Sequence, residues 1–215
     1  MRTKVKICCI GSWEEAQMAI EAGAYALGLV GSMPSGPGVI SDELIADIAA
    51  RALSSIRTFL LTSETTAEEV IDHHARTRTT TIQLVDQMKG DSLQRLRQAL
   101  PDVELVQVIH VVDEQAVGEA MHVAPYVDAL LLDSGNPNLA VKQLGGTGRT
   151  HNWEISRRIV EQSPLPVFLA GGLKAENVAG AVSRVQPFGL DLCSGVRTNG
   201  RLDRKKLTAF FASIP

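Results

Sequence analysis

Short apolar runs alternate with amphipathic stretches along the whole chain. Runs with strand character cover Val5–Ile10, Ala26–Val30, Thr58–Leu61 and Thr81–Leu84. Four more follow at Leu105–Val108, Ala129–Leu132, Val167–Ala170 and Gly189–Leu192. Short, largely apolar runs bounded by polar or glycine positions are expected of strands covered on both faces. Between them, apolar positions recur at helical spacing in Ser12–Ala22, Asp42–Ala52, Ala67–His74 and Ser92–Leu100. The same spacing marks Glu114–His122, Trp153–Glu161, Ala175–Val185 and Asp203–Ala212. Ser12 ahead of Glu14-Glu15, and Asp203 ahead of the last segment, are placed as N-caps.

Eight strands alternating strictly with eight helices predict parallel pairing through right-handed crossovers. The 215 residues divided by eight give units of about 27, which predicts a single (β/α)8 barrel (TIM barrel) domain over residues 1–215. A doubly wound open sheet is the rival architecture. A dinucleotide-binding version would carry GxGxxG in its first turn. Here that turn reads Cys8-Cys9-Ile10-Gly11-Ser12, and no GxxxxGK[ST] occurs elsewhere. The glycine-rich stretches Gly31–Gly38 and Gly145–Gly148 read as loops that follow strands two and six.

Composition acts mainly by exclusion. Hydrophobic residues make up 45% and charged residues 21%, ordinary values for a globular protein. A net charge of −3, with Lys and Arg dispersed, gives no electrostatic basis for a nucleic-acid partner. No apolar run approaches the roughly 18 residues of a membrane span. Met1-Arg2-Thr3-Lys4 leads into the first strand without a signal-peptide apolar core, so a cytoplasmic location away from membranes is expected. Three cysteines do not form a disulfide framework, and no CxxC or HxxxH spacing supports a metal. His73-His74, adjacent on a helix, reads as part of a solvated face.

Candidate chemistry lies at the strand ends. In a (β/α)8 barrel all strand C-termini open on one face, so residues far apart in sequence converge there. Strand one delivers Cys8, strand six Asp133, strand seven Gly171-Gly172 and strand eight Ser194-Gly195. Alternation places Lys4, Lys6 and Cys8 on the lumen side, turns Cys9 toward the helices, and sets Asp191 beside Lys6 once the barrel closes. A thiol and a carboxylate across one mouth form a base–acid couple. The thiol removes a proton only as thiolate, which the nearby Lys6 charge favours. Glycine-bearing loops after strands seven and eight suit a phosphate, because backbone N–H groups approach an anion closely there. Gly145-Gly146-Thr147-Gly148-Arg149-Thr150 reads as a flap beside Asp133. Together these predict an enzyme acting on a small phosphorylated molecule. For any one position the plainer readings stand beside this one: a buried cysteine, a capping aspartate, a turn glycine.

These residues resemble the phosphoribosylanthranilate isomerase family. The resemblance runs through Val5-Lys6-Ile7-Cys8, Glu21-Ala22-Gly23-Ala24, Leu131-Leu132-Asp133-Ser134 and Gly145-Gly146-Thr147-Gly148-Arg149-Thr150 with Trp153. It continues through Ala170-Gly171-Gly172-Leu173, Glu176-Asn177-Val178, and Asp191 with Ser194-Gly195-Val196. It implies a (β/α)8 barrel and an Amadori rearrangement of N-(5-phosphoribosyl)anthranilate to the 1-deoxyribulose 5-phosphate product, a step of tryptophan biosynthesis. Asp133 would be general acid and Cys8 general base. Gly171, Gly172, Ser194 and Gly195 would hold phosphate, while Lys6, Asp191, Gly146 and Arg149 would complete the substrate site. The implied partner is a phosphorylated sugar, with the protein a monomer or homodimer. No cofactor is implied, because the substrate nitrogen is the electron sink.

The chain departs from the family on the aromatic-acid side. The loop after strand two, Met33-Pro34-Ser35-Gly36-Pro37-Gly38-Val39, lacks the family's arginine, a charge-assisted partner worth about 1.5–3 kcal/mol. Arg149 and Arg197 are the loop residues placed to replace it. Gln83-Leu84-Val85-Asp86 stands for the usual Gln-Leu-His-Gly, Cys9 for glycine, Gln107 for lysine, and His151-Asn152 for an aromatic–aspartate pair. Two further readings follow: a paralogue isomerising another phosphoribosyl-amine, and a non-catalytic barrel that binds a phosphometabolite.

Overall fold

The computed structural model describes residues 3–52, 56–136, 144, 148 and 150–215. Eight parallel strands close into a barrel in chain order. They are β1 (Lys4–Ile7), β2 (Ala26–Val30), β3 (Arg57–Thr62) and β4 (Thr81–Leu84), then β5 (Glu104–His110), β6 (Ala129–Asp133), β7 (Val167–Leu169) and β8 (Gly189–Leu192). The helices around them are α1 (Trp13–Glu21), α2 (Asp42–Ala52), α3 (Ala67–Thr77) and α4 (Ser92–Ala99). They continue with α5 (Gln115–Val123), α6 (Trp153–Gln162), α7 (Ala175–Val185) and α8 (Arg204–Ala212). The closed barrel replaces the open-sheet rival. Among the described residues no helix is long and apolar enough to cross a membrane.

Both expected caps form. Ser12 Oγ accepts from the Glu15 N–H at 3.3 Å, and Asp203 Oδ1 accepts from the Lys205 and Lys206 N–H groups at 2.9 and 3.2 Å. Each satisfies donors that a helix start leaves unpaired. The apolar core has two parts. One fills the layer between sheet and helices, with Ile7, Leu27, Leu60, Ile82, Leu130 and Leu190 facing outward from the strands. The other fills the lumen with the alternate residues, among them Cys8, Ala26, Phe59, Val106, Leu131 and Phe168. Aromatic rings plug the lower end, where Phe168 meets Tyr25, Phe59 and Phe188 at centroid distances of 5.4–6.4 Å. Gly189 makes room for them: a Cβ there would stand 2.5 Å from the Phe168 ring.

Strand one is shorter than the apolar run implied. It ends at Ile7, and Cys9 adopts a left-handed backbone with φ 62°, so strict alternation stops before it. The His73-His74 pair is not a solvated face. His73 is buried, its Nδ1 2.9 Å from Thr62 Oγ1 and its Nε2 3.1 Å from Asp42 Oδ1. Gly31 clears the space, since a Cβ there would sit 2.4 Å from that ring.

The seam between β1 and β8 carries a fully buried lysine. Lys6 and Asp191 are register partners, and Lys6 Nζ lies 2.7 Å from Asp191 Oδ1. Gly28 gives the lysine its place, because a Cβ there would lie 3.0 Å from Lys6 Nζ and 2.9 Å from Cys8 Sγ. Burial pulls the Lys6 pKa down, but Asp191 and then Cys8 more than offset this, leaving it raised. With the folded pKa above the unfolded one, the lysine's contribution is full at neutral pH and is lost as pH rises through the raised value. Removing one partner of such a pair leaves an uncompensated charge. Lys6→Met is therefore expected to cost about 3–5 kcal/mol in urea unfolding, with Lys6→Met/Asp191→Leu recovering part of it. Simple addition of the two single losses would contradict the pairing.

Candidate active site

Cys8 and Asp133 reach one cavity from strands that are not neighbours. Cys8 follows β1, its N–H donating to Leu192 O at 2.7 Å so that the β1–β8 ladder runs one residue past the strand. Asp133 is the last residue of β6 and is 7% exposed. Both line the cavity at the C-terminal mouth, as do Gly171, Gly172, Asp191 and Ser194. Residues 125 positions apart in sequence, 133 less 8, thus face the same space.

Burial raises the Asp133 pKa above the ordinary carboxylate range, and Asp191 adds to the rise. The Ser134 N–H, His110 and Lys6 oppose it without reversing it. The carboxyl therefore keeps its proton further up the pH scale than a free aspartate. Lys6 itself lies beneath the cavity rather than on its wall, being fully buried with its ammonium held by Asp191. Asp191, on the wall, links the lysine to the cavity.

The loops after β7 and β8 form one surface. Gly171 and Gly172 take successive left-handed conformations, φ 83° and 61°, open to glycine at little cost. Asn177 then fixes the start of α7, accepting from the Lys174 N–H at 2.9 Å and donating to Gly172 O at 3.0 Å. Ser194 begins a single 3-10 turn, Ser194–Val196. A Cβ on Gly195 would fall 2.0 Å from Leu173 O, so the two loops touch backbone to backbone. A Cβ on Gly148 would lie 3.6 Å from Ser194 Oγ, which brings this glycine of the expected flap to the same place. Gly146 and Arg149 lie outside the described residues.

Two expectations about side chains change. Cys9 does not pack toward the helices: its left-handed backbone turns it to the cavity wall, where its sulfur meets Cys193. Arg197 does not offer a free guanidinium to the cavity. Its Nη1 is 3.0 and 3.1 Å from the Glu15 carboxylate, and its Nη2 donates to the Cys8 and Cys9 carbonyls. It braces the loop after β1. Elsewhere Asn152 caps α6, and burial lowers His151 to a pKa of about 4, leaving a neutral ring bonded to Ser156.

Sequence reasoning missed His110. It is the register partner of Asp133, buried, with Nε2 3.0 Å from Val85 O and Nδ1 without a hydrogen-bond partner. The available signal was a polar residue on the lumen parity of strand five, two past Val108. Opposite the glycine loops the wall is apolar, with Val30, Met33, Leu61, Val85 and Leu144. Among the described residues no Lys, Arg or His lines the cavity.

Similarity to known proteins covers the same span. The model of the N-(5'phosphoribosyl)anthranilate (PRA) isomerase family matches residues 5–213. N-(5'-phosphoribosyl)anthranilate isomerase 2 of Methanosarcina mazei is 35% identical over 209 residues, covering 96% of this chain and 92% of that protein. The crystal structure of phosphoribosyl anthranilate isomerase from Thermotoga maritima aligns with a TM-score of 0.82 at 25% identity, over 99% of this chain and 98% of that one. Another such isomerase, in complex with reduced 1-(o-carboxyphenylamino)-1-deoxyribulose 5-phosphate, shares the fold with a TM-score of 0.81 at 22% identity, over 99% and 98%. A match across nearly the whole chain, joined to a closed barrel with this mouth, places the protein in the N-(5'-phosphoribosyl)anthranilate isomerase family and makes it an isomerase.

Proposed function

We propose that this protein carries out the Amadori rearrangement of N-(5-phosphoribosyl)anthranilate, with Asp133 as general acid and Cys8 as general base. The observation that carries the reading is the opening of both groups into one cavity. Asp133 donates its proton to the ribose ring oxygen; the C1′–O bond breaks, and the nitrogen lone pair forms the iminium. The Cys8 thiolate removes the C2′ proton, and the freed electrons give the enolamine, which ketonises to the 1-deoxyribulose product. The substrate nitrogen supplies the electron sink. The raised pKa of Asp133 supports its part, because an acid must hold its proton where it works.

The fused loops of Gly171, Gly172, Ser194 and Gly195 are assigned to the 5′-phosphate. At Gly195 the two loops meet with no side chain between them, and glycine-rich backbone of this kind lets main-chain N–H groups approach an anion closely. Asp191 is assigned to the sugar hydroxyls, Lys6 to holding the Asp191 carboxylate in position, and Gly146 and Arg149 to the flap. The apolar wall suits an aryl aglycone. Absence of a cation from the described wall favours a second reading, an amine without a carboxylate, over which Arg149 decides. If Arg149 serves the aryl carboxylate, Arg149→Ala raises KM for the anthranilate adduct and leaves that for an aniline adduct unchanged.

Cys8→Ala and Asp133→Asn are each expected to lower kcat by about 10²-fold or more, while affinity for inorganic phosphate shifts by less than about threefold. Turnover surviving in both would refute the couple, and phosphate binding without turnover in any version would select the non-catalytic reading. Wild type, and not Cys8→Ala, should rescue a tryptophan auxotroph lacking this isomerase. Gly195→Ala should act in the opposite sense, weakening phosphate binding about tenfold as the two loops separate. An acid works only while protonated, so kcat/KM should fall as pH rises through the raised Asp133 value. His110→Leu removes a group that opposes that rise and should move the falling limb to higher pH. A limb unmoved in pH–rate profiles would exclude His110 from tuning the acid.

A further inference from the structure

Cys9 and Cys193 are 184 positions apart, yet their sulfurs meet at 2.7 Å. Both are free thiols on the cavity wall, Cys9 buried and Cys193 half-buried. Cys9 holds its place against a steric cost, since φ 62° is a conformation that residues with a Cβ rarely adopt. Three neighbours keep it there. Gly38, at φ 81°, passes so close that a Cβ on it would lie 2.5 Å from Cys9 Cβ. Arg197 grips the Cys9 carbonyl from the other side, and Glu15 fixes Arg197. Two thiols held in contact from loops at opposite ends of the chain are placed for one chemical event. Their acidities are split in the useful direction. The hydrogen bond with Cys9 lowers the Cys193 pKa against the effect of burial, Arg197 helps, and the same bond raises Cys9.

We propose that Cys9 and Cys193 form a redox-active dithiol site whose oxidant is a low-molecular-weight disulfide and whose product is an intramolecular disulfide across the β1–β8 seam. The Cys193 thiolate attacks one sulfur of the incoming disulfide RSSR, forming a mixed disulfide and expelling RS⁻. Cys9 gives its proton to that thiolate, and its sulfur attacks Cys193 Sγ, expelling the second RS⁻, which takes a proton from solvent. Two protein thiols are oxidised and one RSSR is reduced to two RSH. Cys8 also reaches the Cys9 sulfur and adds to its raised pKa, but across a trans peptide the two neighbouring Cα atoms stand about 3.8 Å apart, closer than a disulfide spans without strain, which leaves Cys193 as the partner. The bond fastens the loop after the first strand to the loop after the last, closing 184 positions of chain into one covalent ring. Ring closure on that scale constrains the unfolded chain, so the redox state of the site sets the stability of the barrel.

The test treats the full reduced chain with glutathione disulfide, then counts thiols, maps peptides without reduction and records thermal unfolding. The expected result is loss of two of the three thiols, a Cys9–Cys193 cross-linked peptide, and an unfolding midpoint several degrees higher, all reversed by dithiothreitol. Cys9→Ser should retain one glutathione on Cys193 and lose the shift; Cys193→Ser provides the reciprocal control if that variant fails to fold. Three surviving thiols, a cross-link through Cys8, stable glutathione on both cysteines, or equal midpoints for the oxidised and reduced chains would each overturn the proposal.

Discussion

Closure of β8 onto β1 is the constraint on which the rest of the molecule depends. At that seam a lysine with no solvent exposure meets an aspartate at 2.7 Å, and the pair is in contact or in electrostatic reach of both groups assigned to the chemistry. Cys8 adds to the raised pKa of Lys6, which places its sulfur within electrostatic reach of the ammonium. Asp191 raises, and Lys6 lowers, the pKa of Asp133 across the lumen. A buried ion pair is a poor source of net stability. Here it fixes a charge at the base of the mouth, between the two groups proposed to move the proton.

Room for that pair comes from missing side chains. Gly28 admits the lysine and the Cys8 sulfur, Gly189 admits the aromatic plug beneath them, and Gly195 lets the loops after β7 and β8 merge. Each is a site where one added carbon meets a neighbour at 3.0 Å or less, so the mouth is shaped as much by omissions as by its lining. Arg197 completes the seam from outside by holding the carbonyls of Cys8 and Cys9.

Much of this was legible in the residues. Period-2 alternation set the lumen face of β1, and the eightfold count set barrel closure, so the Lys6–Asp191 pairing followed from parity and topology alone. Asp133 was visible as a carboxylate ending an apolar strand. Four other features were not legible, for physical reasons that can be named. Cys9 escaped because a left-handed residue breaks the alternation and nothing local announces it. His73 escaped because its partners, Thr62 at the end of β3 and Asp42 on α2, lie on other elements, and tertiary bonds override a polar pattern on a helix. Arg197 looked free because its carboxylate partner, Glu15, lies at the other end of the chain. His110 shared that difficulty, its importance arising only from the register of β5 against β6.

The central claim is that the sulfur after β1 removes the C2′ proton of a phosphosugar whose ring oxygen faces Asp133. Substrate labelled with deuterium at C2′ tests it most directly, by following the label into solvent and product. The account predicts that wild type removes the label from C2′ with a primary isotope effect, while Cys8→Ala, still binding phosphate, leaves it in place. Loss of the label at the wild-type rate from Cys8→Ala would contradict it.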